Sequence, residues 1–286
     1  MLKKVLQYYQ IFCNLSLDVV LGVICCMLPL PKLLDITLPI SWYVSLPLGT
    51  WFIYLADHVL DVTRKKQEYP SPRHQFIKRN LKSIITLMLC ISVVMGWYVL
   101  HPFSYLLFTV GCTLAVCVAL HLMIVRINPT QPLWYNNKEL AIAFIYAAGM
   151  YMAPILLLHQ QNKSITLPIY CALILATIAF INLLLISIIE LQWDEEMDNT
   201  SLVRVLGLES SKSLFLSLQL ICTLSITILL FFAPTVYAPM LLSYLMISLG
   251  HLFIYAKRAY LNHYLTYRKL SEALFWLPFM AYFFYL

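Results

Sequence analysis

Stretches of about 20 mostly apolar residues constrain this chain more than any other feature, because each could cross a bilayer as an α-helix. Nine such runs lie near positions 11–30, 38–57, 81–100, 104–124, 139–158, 167–190, 213–232, 236–256 and 270–286. Proline and short polar clusters separate the runs, as expected for loops. The sequence therefore predicts an all-α polytopic membrane protein with nine transmembrane helices.

Composition excludes the main alternatives to a membrane protein. The 286 residues are 62% hydrophobic and only 11% charged, whereas soluble domains carry roughly 25% charged residues. This excludes a soluble globular enzyme, a disordered chain and a disulfide-rich secreted domain. The eight cysteines lie in apolar runs without any C-x-x-C pair, so we expect packing roles for them. We predict one domain spanning positions 1–286.

The basic residues predict an orientation in the membrane. If the N-terminus is cytoplasmic, 17 of the 19 Lys and Arg residues fall in cytoplasmic segments, and only Lys32 and Lys163 lie outside. This asymmetry is typical of membrane proteins. It also explains the formal net charge of +6 without nucleic-acid binding.

The few acidic residues are concentrated at the ends of two predicted helices. Asp57 and Asp61 end the second helix, and Glu190, Asp194 and Asp198 end the sixth. Residues four apart share one face of a helix. Carboxylates stacked in this way at the edge of a bilayer are unfavourable, and they are typical of functional sites.

Both helices are predicted to run from the outside to the cytoplasm, so their acidic ends should converge on one cytoplasmic mouth. A helix C-terminus is itself partly negative, which favours a bound cation. Mg²⁺ prefers carboxylate oxygens and completes its shell with substrate phosphate. The pattern predicts a Mg²⁺ site for a phosphate-bearing substrate, with Arg73, Lys138 and Arg204 as phosphate contacts or as determinants of topology.

The chain resembles the UbiA superfamily of intramembrane prenyltransferases. The resemblance rests on the nine predicted helices, on Asp57-x-x-x-Asp61 and Asp194-x-x-x-Asp198 ending helices two and six, and on the pair Leu206-Gly207 after the second motif. Arg73 and Lys138 resemble basic residues of the family in position.

The resemblance implies a helical bundle around a central cavity and an isoprenoid diphosphate held by Mg²⁺. The diphosphate would ionise, and the prenyl group would pass to an aromatic or other lipophilic acceptor, as in terpenoid biosynthesis. Carried over by residue, the metal ligands and catalytic residues would be Asp57, Asp61, Asp194 and Asp198. The diphosphate contacts would be Arg73, Lys138 and Arg204.

Two departures from the family pattern leave alternatives open. The family's Asn-Asp pair upstream of the first motif is replaced by Ile53-Tyr54, and Glu190 stands where Asn is usual. A terpene cyclase of the same superfamily, which acts without an acceptor, is therefore the second hypothesis. A transporter or a non-catalytic scaffold is more remote, because the acids lie at helix ends rather than in mid-membrane.

Several further side chains are candidates for the site. Tyr54 lies just before Asp57, and Asn182 lies two turns before Glu190 on the same face, so we predict that Tyr54, Asn182 and Glu190 contact substrate. Asp18 is a candidate for binding an acceptor hydroxyl. His74 is a candidate diphosphate contact, whereas His58 points about 100° away from Asp57 and is not expected to be a ligand.

Overall fold

Every regular element that we describe is a helix. A computed structural model of the chain describes residues 2–64, 72–101, 104–127, 138–196, 201–261 and 266–285. The helices are α1 (Leu2–Asn14), α2 (Leu17–Met27), α3 (Pro29–Leu33), α4 (Ile40–Arg64), α5 (Pro72–Arg79), α6 (Leu81–Leu100), α7 (Tyr105–Ile127), α8 (Lys138–Gln160), α9 (Thr166–Ile189), α10 (Leu191–Glu196), α11 (Leu202–Leu206), α12 (Leu208–Phe232), α13 (Ala238–Leu261), α14 (Thr266–Leu274) and α15 (Pro278–Tyr282). A 3₁₀ turn, Thr235–Tyr237, precedes α13.

Five helices are long and apolar enough to cross a membrane, namely α6, α8, α9, α12 and α13 with its preceding turn. A sixth span is reached only if Gln7–Asn14 and Leu17–Leu33, whose axes differ by 73°, are counted together. The prediction of an all-helical polytopic membrane protein is therefore confirmed. The prediction of nine spans is wrong for the residues that the structure describes.

The first predicted span is bent because one residue between α1 and α2 adopts the left-handed backbone conformation. Ser16 has φ 57° and ψ 25°, the left-handed conformation, which an α-helix of L-residues cannot contain. The second predicted span does form the helix α4, but Pro47 and several polar residues lie within it. It is consequently not among the helices that are apolar enough to cross.

The last predicted span, 270–286, is wrong because two short helices replace it. Pro278 is at the first turn of α15, and proline is suited to begin a helix but cannot continue one. The preceding helix, α14, carries Arg268, Lys269 and Glu272. This segment is too short and too charged to cross, and it packs against α2, α9 and α13 instead.

The centre of the bundle is α9, which contacts α8, α12, α13 and α14. In its apolar window 67% of the residues are buried inside the protein, against 11% for α6. Leu175, Ile178 and Leu184 have no exposed surface. Lipid tails are as apolar as these side chains, so close packing rather than transfer from water stabilises such a helix in a membrane.

Two polar contacts join neighbouring helices inside the bundle. The hydroxyl groups of Tyr151 in α8 and Tyr244 in α13 are 2.8 Å apart. Gln219 Nε2 in α12 donates to Ser248 Oγ in α13 at 2.8 Å. Hydrogen bonds of this kind contribute roughly 0.6–2 kcal/mol in membrane proteins, and they hold the framework on which the candidate site is built.

Candidate functional site

The ends of α4 and α9 and the beginning of α8 lie at one end of the bundle. Glu139, in the first turn of α8, accepts hydrogen bonds from Ser187 Oγ near the end of α9 at 3.3 Å and from the backbone N–H of Leu202 at 3.1 Å. The positive charge of the neighbouring Lys138 acts on the carboxylate of Asp57. The first turn of α8 therefore lies close to both acid-bearing helix ends.

At the α4 end, the two aspartates are accompanied by histidines. Asp61 Oδ2 is 3.4 Å from His74 Nε2, and the rings of His58 and His74 meet edge to face with centroids 5.7 Å apart. Asp57 and Asp61 are both exposed, and the charge of Asp61 acts on Asp57. The side chains of this helix end can therefore share a cation.

The α9 end differs from the predicted single helix. The helix ends at Ile189, Glu190 adopts φ −91° and ψ 9°, and α10 begins at Leu191. The expectation that Glu190 and Asp194 continue one regular helix is wrong, because the chain bends at Glu190. Asp198 lies outside the described residues.

The carboxylate of Glu190 is satisfied by α14. Tyr267 Oη donates to Glu190 Oε1 at 2.7 Å, and Arg268 Nη2 donates to Glu190 Oε2 at 3.2 Å. The side chain of Glu190 is only 14% exposed. Both carboxylate oxygens thus accept hydrogen bonds from α14, so this residue anchors α14 to α9.

A cavity of about 30 Å³ lies between α2, α4, α8, α9 and α14. Its lining includes Tyr54 and Asn182, which the sequence predicted as site residues, and also Tyr146 and Glu272. Ser271 donates to the amide oxygen of Asn182. A cavity of this size has room for about one water molecule, so a lipid could enter only if the surrounding side chains move.

Charged side chains surround this cavity. Asp18 is 1% exposed, and its Oδ2 has no hydrogen-bond partner in the described parts of the chain. Burial and, to a smaller extent, the charge of Asp18 raise the pKa of Glu272 to about 7, although Arg268 and Arg73 oppose the shift. Burial also lowers the pKa of Arg73, as does the charge of Arg268. The predicted residue Arg73 therefore belongs to a charged group with Asp18, Glu272 and Arg268.

The same group connects the two acidic helix ends. The charges of Asp57 and Arg268 both act on the hydroxyl group of Tyr54, and those of Glu190 and Asp194 act on Tyr267. Because Tyr267 and Arg268 are adjacent and both bind Glu190, charges from both acidic helix ends act on this part of the bundle.

The remaining predicted basic residues lie beside the acids. Lys138 begins α8 close to Asp57, and Arg204 in α11 places Nη1 3.5 Å from the backbone oxygen of Asp194. Sequence reasoning missed Arg268 and Glu272, which were assigned to a loop and a ninth span. Their spacing of four residues, which puts opposite charges on one helix face, was the available signal.

Comparisons with family models, with curated proteins and with solved structures find no match to this chain. The resemblance to intramembrane prenyltransferases therefore rests on the sequence motifs alone.

Proposed function

We propose that this protein is a Mg²⁺-dependent intramembrane prenyltransferase, which ionises an isoprenoid diphosphate and transfers the prenyl group to an aromatic or other lipophilic acceptor. The observation that supports the proposal is the proximity of the α4 and α9 ends, with Lys138 acting on Asp57 and Arg204 beside Asp194. Carboxylates that could bind a metal ion, with basic side chains beside them that could bind phosphate, suit a metal–diphosphate complex.

The donor set fits the proposed metal. Asp57, Asp61 and Asp194 offer carboxylate oxygens, which hard divalent cations prefer, and Asp198 would add another. When bound, Mg²⁺ would neutralise the charge that develops on the leaving diphosphate. Arg73, Lys138 and Arg204 would orient the same diphosphate through charge-assisted hydrogen bonds.

In this proposal the reacting carbon of the substrate would enter the cavity once the lining side chains move apart. Tyr54 and Tyr146 line it, and an aromatic face stabilises a nearby cation by about 0.5–2 kcal/mol. An aromatic acceptor loses a proton after the new carbon–carbon bond forms. Glu272 would accept that proton, because a carboxylate whose pKa lies near neutrality is suited to act as a base.

The proposal is tested with the full chain in lipid vesicles, supplied with farnesyl diphosphate and an aromatic acceptor. Diphosphate release should require Mg²⁺, stop with a chelator and fail in D57A. The control is D35N, because the side chain of Asp35 is 98% exposed and pairs with Lys163 away from the acid-bearing ends. Release that is indifferent to chelation, or retained in D57A, would contradict the proposal.

The products decide between transfer and cyclisation. A prenylated acceptor supports the proposal. A hydrocarbon or terpene alcohol that forms equally well without an acceptor would identify a membrane terpene cyclase instead.

A further inference from the structure

We infer that His58, Asp61 and His74 form a site for a first-row transition-metal ion at the end of α4. Each of these residues offers one ligand atom, and the three atoms lie within 4.8 Å of one another. The inference goes beyond the proposed function, because the transfer reaction calls only for carboxylate oxygens and Mg²⁺. Two imidazole groups beside one carboxylate indicate a different class of ion.

The spacing of two of the ligand atoms already fits coordination. A tetrahedral ion with bonds of about 2.0–2.1 Å separates neighbouring ligand atoms by roughly 3.3–3.4 Å. Asp61 Oδ2 and His74 Nε2 are 3.4 Å apart. The ligand atom of His58 lies within 4.8 Å of the other two, so a side-chain adjustment is needed to bring this third ligand to the same ion.

His58 is held in the manner of a metal ligand. Its ring is buried, with 7% exposed, and Nε2 is 3.2 Å from Ser16 Oγ. Within the described residues Nδ1 has no hydrogen-bond partner. Ligating histidines usually bond a second protein group through their other ring nitrogen, which fixes the orientation of the ring. Ser16 would fulfil this role and leave Nδ1 to coordinate.

The ligand chemistry selects the ion. Imidazole nitrogen suits zinc, iron, cobalt and nickel, whereas Mg²⁺ prefers oxygen. Three protein ligands leave at least one position open for water or an added ligand. Among the neighbouring charges, Asp57 favours a bound cation, whereas Arg73 and Arg268, which both act on His58, oppose it.

The test is a Co²⁺ titration of the full chain, purified in detergent, freed of metal with a chelator and supplied with excess Mg²⁺. Visible ligand-field absorption reports the coordinated ion. We expect saturation at about one Co²⁺ per chain and displacement by Zn²⁺. H74Q should weaken binding at least about 100-fold, and D61N should do the same. Absence of a saturable Co²⁺ spectrum in the wild type would overturn the inference.

Two further variants separate the site from chance binding. His159 is exposed at the end of α8, so H159Q should bind as the wild type does. S16G removes the hydroxyl group and tolerates the left-handed backbone at that position, and it should weaken binding by about 10–100-fold. Equal affinity in H74Q and H159Q would contradict the inference. No substrate is present in this titration, so that result would contradict the transition-metal site without bearing on the proposed Mg²⁺-dependent reaction.

Discussion

The two acid-bearing helix ends resemble each other in sequence but differ in their surroundings. At the α4 end, Asp61 is half exposed, with 52% of its side chain accessible, and it lies beside two histidines. At the α9 end, Glu190 is largely buried and both of its oxygens accept hydrogen bonds from α14. The α4 end is suited to bind a cation. At the α9 end, the first carboxylate, that of Glu190, binds the neighbouring helix α14.

This difference shows that acidic spacing alone does not define a metal site. A carboxylate satisfied by an arginine and a tyrosine has less need of a cation. In the proposed metal site, the α9 end would therefore contribute through Asp194 and Asp198 rather than through Glu190. The α4 end should accordingly be the more sensitive of the two to substitution.

The largest expected effect is the difference in diphosphate release between substitutions at Asp61 and at Glu190. D61N should reduce diphosphate release by about 100- to 1,000-fold, because it weakens a ligand of the Mg²⁺ ion that would neutralise the leaving diphosphate. E190Q should retain activity within about tenfold, since Gln still accepts a hydrogen bond from Tyr267. Steady-state release by both variants is the measurement. A larger loss of diphosphate release in E190Q than in D61N would contradict the expected difference between the two helix ends.

Glu272, which lies between the two ends, should make stability depend on pH. Its pKa is about 7 in the folded protein against an ordinary value of 4.5. As the pH rises through that interval the unfolded chain loses the proton first, so stability falls by up to about 3 kcal/mol. Asp18, Arg73 and Arg268 are the charges that face this carboxyl group.

The expected result is a thermal midpoint in detergent that is lower at pH 8 than at pH 5. E272Q cannot titrate and should show a smaller decrease over the same range. An identical decrease in both proteins would show that another group is responsible.

The ion pair at the α9 end should contribute to stability. R268A leaves the largely buried carboxylate of Glu190 without its cation, which should destabilise the fold by about 2–3 kcal/mol. K212A removes a helix-surface pair with Glu209, whose side chain is 83% exposed, and should change stability by less than about 0.5 kcal/mol. Thermal denaturation of the two variants gives the comparison. Equal losses would show that Glu190 does not depend on Arg268.

The smallest expected effect concerns the backbone after the α9 end. Gly207 has φ +81° and ψ 156° between α11 and α12, a conformation almost restricted to glycine. G207A should destabilise the protein by about 1–3 kcal/mol, with the lower part of that range favoured by the open space around the residue. In the control, G96A, the added methyl group meets nothing within 4 Å in the regular helix α6. It should be neutral or stabilise by up to about 1 kcal/mol.

Three of the five long apolar helices could be predicted to within two residues at each end. Residues 81–100 form α6 as expected, and the runs 139–158 and 167–190 correspond to Lys138–Gln160 and Thr166–Ile189. An apolar segment that crosses lipid must satisfy its own backbone groups, and the helix does so locally. The breaks at Ser16 and Pro278 were missed because an average over 20 residues hides a single residue that changes the backbone direction.

The site was predicted only in part. Asp57 and Asp61 were recognised because their spacing puts them on one helix face. His58 was rejected because it points away from Asp57, yet that direction brings it to Ser16 and His74. Those partners come from the turn before α2 and from α5, and their positions depend on how separate helices pack.

By itself the sequence determined the membrane class, the helical content and the spacing of the acids, because each depends on composition or on neighbours within one segment. Only the tertiary structure decided which charges meet. Glu190 and Arg268 are 78 residues apart, and their pairing follows from the docking of α14 against α9. Shape complementarity between helices controls such docking in a bilayer, and no single segment of the sequence contains it.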